Sequence, residues 1–217
     1  MKIIGIDLSG PSNHKDTVIA TFQESNGRLA PVPIGIQVGA SDSDILNIVN
    51  RQAADDAVVI GIDSPLSYQD GGGDRPFDKE LRNFSKDLGM KPGSIMTPTM
   101  TRMIYLTVRG IHLSHLLSAI PNVKEIVEVH PGTALASRVS KDEIEYALSY
   151  KKNAEDLRWV EQWLAHYFSE VALNSSASHE VDAYLAALAA WHWASEDHTS
   201  PWSKNAVPPH HPFPITC

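Results

Sequence analysis

Two short apolar runs dominate the hydrophobic pattern of the chain, and they are near copies of each other. Lys2-Ile3-Ile4-Gly5-Ile6-Asp7 opens the sequence, and Val58-Val59-Ile60-Gly61-Ile62-Asp63 recurs later. Continuous β-branched runs, rather than strict alternation, predict strands covered on both faces. Each run ends in an aspartate, at the carboxyl edge where open α/β sheets place their ligands. Between them, Thr17 to Gln23 reads as a second strand, antiparallel to the first. Asn26-Gly27 marks a turn, and a third strand lies around Ile34 to Val38. Pro31 and Pro33 cannot donate to a ladder, so that third strand is expected at an edge. Glu125 to Val129 is the last clear strand.

Helical spacing fills the remainder. Asp42 or Ser43 is expected to cap a helix running to about Ala54, with Ile45, Ile48 and Val49 inward. Arg75 to Leu88 carries two stripes, Phe77, Leu81, Phe84 and Leu88 on one and Arg75, Lys79, Arg82 and Lys86 on another. Thr101 to about Ile120 is a long apolar-rich helix ended by Pro121-Asn122. Asn153 with Asp156 begins a helix through Phe168. Ser178 is the expected cap of a final helix, His179 to about Glu196. Its Ala183, Ala186, Ala187, Ala189 and Ala190 allow close approach to a sheet.

This order predicts an α/β fold. Three antiparallel strands are followed by two that need crossovers and add in parallel beside the first. The expected result is a mixed five-stranded sheet flanked by helices. The 217 residues are read as a single domain, with a helical segment inserted at about 70–120 and an irregular Pro-rich tail at about 199–217. His210 and His211, in that tail, are expected to be solvated.

Composition narrows the function classes. The net charge is −8, with 26 acidic against 18 basic residues, which disfavours non-specific coating of a polyanion. The window from Arg75 to Arg109 departs from this, with seven basic and three acidic residues. A nucleic acid, if bound, is expected to meet that local basic surface. One cysteine, Cys217, excludes a disulfide framework and a cysteine metal site. Met1-Lys2 leads directly into a strand, so no signal peptide is expected, and no apolar run approaches the roughly 20 residues that cross a bilayer. A cytoplasmic protein with no membrane partner is the expectation.

Four acids share the setting from which a metal site is built. Asp7 and Asp63 end strands, Glu128 lies within the last strand, and Asp182 lies in the first turns of the final helix. If those elements adjoin, the carboxylates converge. Like charges at short range raise each other's pKa or demand a cation. Several hard oxygen ligands suit Mg²⁺ or Mn²⁺, and two such ions about 4 Å apart can clamp both oxygens of a phosphodiester displacement. His179, one turn before Asp182, is placed to hydrogen-bond a ligand or move a proton. Taken singly, each has a plainer reading. An aspartate after a strand caps a turn, Glu128 can face water at an edge, Asp182 complements a helix amino terminus, and the basic stripe is the wet face of a helix.

The chain resembles domain-of-unknown-function family 429, a group of predicted nucleases placed in the RNase H-like superfamily. The resemblance rests on Ile4-Gly5-Ile6-Asp7, Gly61-Ile62-Asp63-Ser64-Pro65, Arg75-Pro76-Phe77-Asp78-Lys79-Glu80-Leu81-Arg82, Glu128-Val129-His130-Pro131 and His179-Glu180-Val181-Asp182-Ala183. It implies the same strand order and an acidic site. Asp7 would be the central metal ligand, Asp63 the fourth-strand acid and Asp182 the acid of the final helix. Glu128 has no fixed counterpart.

Together these readings point to a metal-dependent nuclease with a pair of Mg²⁺ or Mn²⁺ ions. Asp7, Asp63, Asp182 and Glu128 are its expected ligands, with His179 beside them and Arg75, Lys79 and Arg82 holding phosphate. The alternatives are a phosphotransferase of the actin-like or sugar-kinase type, faintly echoed in Asp7-Leu8-Ser9-Gly10, and a non-catalytic binding protein on the same fold.

Overall fold

The computed structural model describes residues 1–171, 173 and 178–217. The five expected strands are β1 (Lys2–Asp7), β2 (Val18–Ser25), β3 (Arg28–Val38), β4 (Val58–Asp63) and β5 (Val123–Val129). They lie in the order β3-β2-β1-β4-β5, with β1 antiparallel to β2 and parallel to β4, and β4 parallel to β5. The Pro-bearing β3 is the sheet edge, as its missing donors require. Asn26 and Gly27 both take positive φ, 52° and 71°, the backbone of a tight two-residue hairpin.

Among the described residues the sheet has seven strands rather than five. Within the tail, β6 (Ser203–Lys204) and β7 (Ile215–Thr216) extend it beyond β5, with β7 parallel to β5. The tail is therefore sheet-forming at both of these points. His211 is buried, with its Nδ1 2.9 Å from Ser67 Oγ, so the expectation that it is solvated fails. A short apolar strand with its own ladder partner outweighs the turn signals of the surrounding prolines.

Strand parity sorts the core into two layers. Ile4, Ile6, Ile60, Ile62 and Ile126 face α1 (Asp42–Ala53) and α3 (Ile104–Ser118). Ile3 and Val59 face the other layer, with α7 (Ser178–Ala194) at its centre. The α7 helix is buried at every position from Glu180 to His192, because the sheet covers one side and further helices the other. Those covering helices are α4 (Pro131–Ala136) and α6 (Ala154–Leu164), with α5 (Ile144–Ser149) packed against both. Both α4 and α5 are too short to leave a periodic signature in the sequence.

Helix boundaries shift where capping decides them. The α1 cap is Ser41, not Asp42 or Ser43, in a reciprocal box with Asp44. The helix expected from Arg75 starts at Asp78 and is α2 (Asp78–Asp87), leaving Arg75 in the turn before it. Ser178, the expected cap of α7, is its first helical residue. No helix of the described residues is long and apolar enough to cross a membrane.

Two glycines set how closely α7 approaches the sheet. A Cβ at Gly5 would stand 1.9 Å from the Ala183 carbonyl oxygen, and one at Gly61 would stand 2.3 Å from that of Ala186. Helix backbone thus lies directly on strand backbone, which only glycine opposite alanine permits.

Candidate metal centre

The glycine of each Gly-Ile-Asp repeat and its aspartate lie two residues apart, so both face α7. Asp7 and Asp63 are direct partners in the parallel β1–β4 ladder. Asp182 precedes the alanine whose carbonyl covers Gly5. Close packing therefore lowers the first turns of α7 onto the two strand ends, and the three carboxylates meet. One oxygen from each of Asp7, Asp63 and Asp182 lies within 4.8 Å of the others.

The surroundings of the three acids are unequal. Asp182 is fully engaged: Tyr150 Oη–H donates to Oδ1 at 2.5 Å, and Lys151 Nζ pairs with Oδ2 at 2.7 Å. Asp7 Oδ2 lies 2.7 Å from His179 Nδ1. Burial, opposed by His179 and reinforced by the charge of Asp182, raises the Asp7 pKa. Burial and then the neighbouring Asp7 charge push Asp63 well above the usual carboxylate range. The hydrogen bond that His179 donates to Asp7 raises its own pKa in turn. Lys151 rises too, because Asp182 and Asp63 outweigh the desolvation that lowers it. This is a pocket of excess negative charge, partly offset by one ammonium group.

Glu128 does not join the cluster. Its ladder partner is Ile62, so its side chain points to the α1–α3 face, opposite the aspartates. Strand parity forbids it to share a face with Asp63. Arg75 instead grips it through two bonds of 2.7 and 2.6 Å, and the Leu66 amide donates to it at 2.8 Å. Asp78 completes this buried network, 2.8 Å from Arg75 Nη2.

The expected phosphate-holding stripe is also dissolved. Arg75 is buried and committed to Glu128 and Asp78, with its pKa raised by them against the cost of burial. Arg82 forms two bonds with Asp74, at 2.7 and 2.8 Å. Lys79 is exposed on α2, on the outer surface. Helical spacing placed these cations on one stripe, but the turn at Arg75 buries that guanidinium, and acids pair with both arginines, leaving Lys79 alone of the three facing solvent.

Two close partners of Asp182, Tyr150 and Lys151, left no signal in the sequence. They sit in the turn between α5 and α6, and only the folding of that layer over α7 brings them to Asp182. His130 is a further near neighbour that serves structure. Its Nδ1 accepts from the Thr133 amide at the start of α4, and its Nε2 lies 2.9 Å from the Ser94 carbonyl oxygen. Burial lowers its pKa to about 4.

Two pockets open beside Asp63. One, of about 210 Å³, is floored by Arg75 and Glu128. The other, of about 500 Å³, runs from Asp63 past Tyr150 and Lys151 to Met90, Lys91, Leu148 and Lys152.

Fold and site together define an α/β protein with a carboxylate centre at the carboxyl edge of parallel strands. The chain belongs to the family described as "Protein of unknown function (DUF429)", whose model matches residues 5–206. No curated protein and no solved structure gives a significant match.

Proposed function

We infer that the protein is a metal-dependent phosphoester hydrolase, of the nuclease type, built on an RNase H-like strand order. The observation that carries this reading is the meeting of Asp7, Asp63 and Asp182 at the ends of β1, β4 and the start of α7. Three carboxylates in a poorly solvated cleft are costly unless a cation or protons join them. Their oxygens are the hard donors that Mg²⁺ or Mn²⁺ prefers. Each oxygen of Asp182 already accepts one contact, from Tyr150 or Lys151, so Asp7 and Asp63 would be the main holders of the ion and Asp182 would add only a remaining lone pair. Such an ion would supply Lewis acidity and an activated water.

The charge balance favours one resident ion over two. Lys151 adds a fixed positive charge on the Asp182 side, where a second ion would otherwise be needed. His179 orients Asp7 through its Nδ1, and its hydrogen bond to Asp7 raises its pKa from the usual histidine value, which suits it to hold or pass a proton beside the ion. Tyr150 keeps Asp182 in place.

The test is a melting curve with and without Mn²⁺ or Mg²⁺. At roughly a hundredfold excess over Kd, binding to the folded state adds about 2.7 kcal/mol, a rise of several degrees. Asp7→Asn is expected to abolish that rise. A melting temperature indifferent to both ions would sink the metal reading. Ion binding without cleavage of any nucleic acid or phosphoester would leave a binding protein.

A further inference from the structure

The pocket of about 500 Å³ shares Asp63 and Lys151 with the carboxylate centre, so whatever fills it touches both. Its charge is the reverse of the molecule as a whole. Lys91, Lys151 and Lys152 line it, in a chain of net charge −8. All three are exposed, and Lys151 has its Nζ turned to the centre. Apolar surface from Met90, Pro131 and Leu148 forms the remaining walls. The smaller pocket on the other side of Asp63 offers no comparable charge, because Arg75 is closed by Glu128 and Asp78.

Resting on the hydrolase reading above, we propose that this pocket receives one nucleotide-sized phosphoester, either the end of a single strand or a free nucleotide. Lysine ammonium groups are point charges suited to a phosphate. A cavity of this size matches one small ligand, with apolar walls for a planar base and a few polar groups to orient it. A duplex is not the fit. Tracking its backbone requires a run of free cations, and the Arg75 and Arg82 stripe that would have supplied one is neutralised by ion pairs. The phosphate takes Lys91 and Lys152, with Lys151 between it and Asp182.

Calorimetric titration of the full chain tests this, with adenosine 5′-monophosphate, ribose 5-phosphate, a 5′-phosphorylated single-stranded oligonucleotide and a blunt duplex as probes. Adenosine 5′-monophosphate is expected to bind more tightly than ribose 5-phosphate. The double variant Lys91→Ala/Lys152→Ala should weaken it by about tenfold or more, the loss of two charged contacts, while leaving Mn²⁺ affinity unchanged. The single-stranded oligonucleotide binding above the nucleotide would identify a strand end as the source, and the reverse order a free nucleotide. Mn²⁺ binding together with no nucleotide binding, or nucleotide binding indifferent to the two lysines, would overturn the pocket assignment and leave the metal centre standing. Tightest binding to the duplex would overturn it as well. Nucleotide binding through the lysines without any Mn²⁺ binding would retain the pocket and remove the metal centre.

Discussion

At the scale of single residues, the centre is defined by charges that do not balance locally. Asp63 has a folded-state pKa above its unfolded value, so folding favours its protonated form. Its sign is the reverse of an ordinary salt-bridged carboxylate. Metal-free stability contributed by this group is present below the ordinary pKa of 3.8 and is lost as pH rises through the raised value. Asp63→Asn should therefore stabilise the metal-free protein at neutral pH, by about 1 kcal/mol or more, while lowering metal affinity. Melting curves in a chelator from pH 4 to 8 check this: wild type and variant should diverge as pH rises. Arg75 poses the opposite case. Its removal leaves Glu128 and Asp78 buried and unpaired, so Arg75→Met should cost about 3–5 kcal/mol, measured by urea unfolding. Adding Glu128→Gln should recover part of that loss, since one of the stranded charges is gone.

At the scale of elements, the decisive contact is α7 against β1 and β4. The alanine face of the helix and the two glycines form one device. It sets the height of Asp182 above Asp7 and Asp63, and so decides whether three oxygens fall within reach of one ion. A methyl group at Gly61 would meet the Ala186 carbonyl at 2.3 Å and the Ala190 Cβ at 3.0 Å. Neither neighbour is the flexible end of a side chain. Gly61→Ala is expected to destabilise by about 1–3 kcal/mol, the range for overpacking a tight core. It should also reduce Mn²⁺ affinity more than a core truncation of equal cost on the other face, such as Ile48→Val. Paired unfolding and calorimetric measurements separate the two effects. A metal affinity that fell equally in both variants would show that α7 height is not what controls the site.

At the scale of the whole molecule, the C-terminal tail closes the sheet beside the centre. Strand β7 pairs with Glu128 and Val129 of β5. His211 meets Ser67 in the loop after Asp63, and Phe77 packs against the His211 ring at 5.3 Å. The Arg75–Glu128 network lies under the same loop through the Leu66 amide. The tail thus braces the strand end that carries Asp63. Removing residues 207–217 would uncover the β5 edge. Lower stability and self-association are the expected outcomes, because an exposed parallel edge offers unpaired donors and acceptors to a second chain. Size-exclusion elution and hydrogen exchange of the β5 amides check this. Unchanged protection of Val127 to Val129 would show that β7 contributes little.

Short-range pattern along the chain was enough to give the strand order, the alanine face of the final helix and the pair Asp7–Asp63. Apolar β-branched runs ending in aspartate, prolines in one strand and a capped alanine-rich stretch each carry a local physical cause. It also determined that Asp182 would sit near a helix start. Which acids meet depended on the packing of distant elements. Glu128 was excluded by the parity of its ladder partner Ile62, 66 residues away in sequence, which depends on the register between the two strands rather than on either strand alone. Arg75 was turned inward by a turn too short to read from periodicity. Tyr150 and Lys151 reached Asp182 because α5 is held between α4 and α6, which pack on α7, and no local pattern encodes that distance. Charge in a folded protein is placed by the packing of whole layers, whereas the sequence specifies only the face of each element.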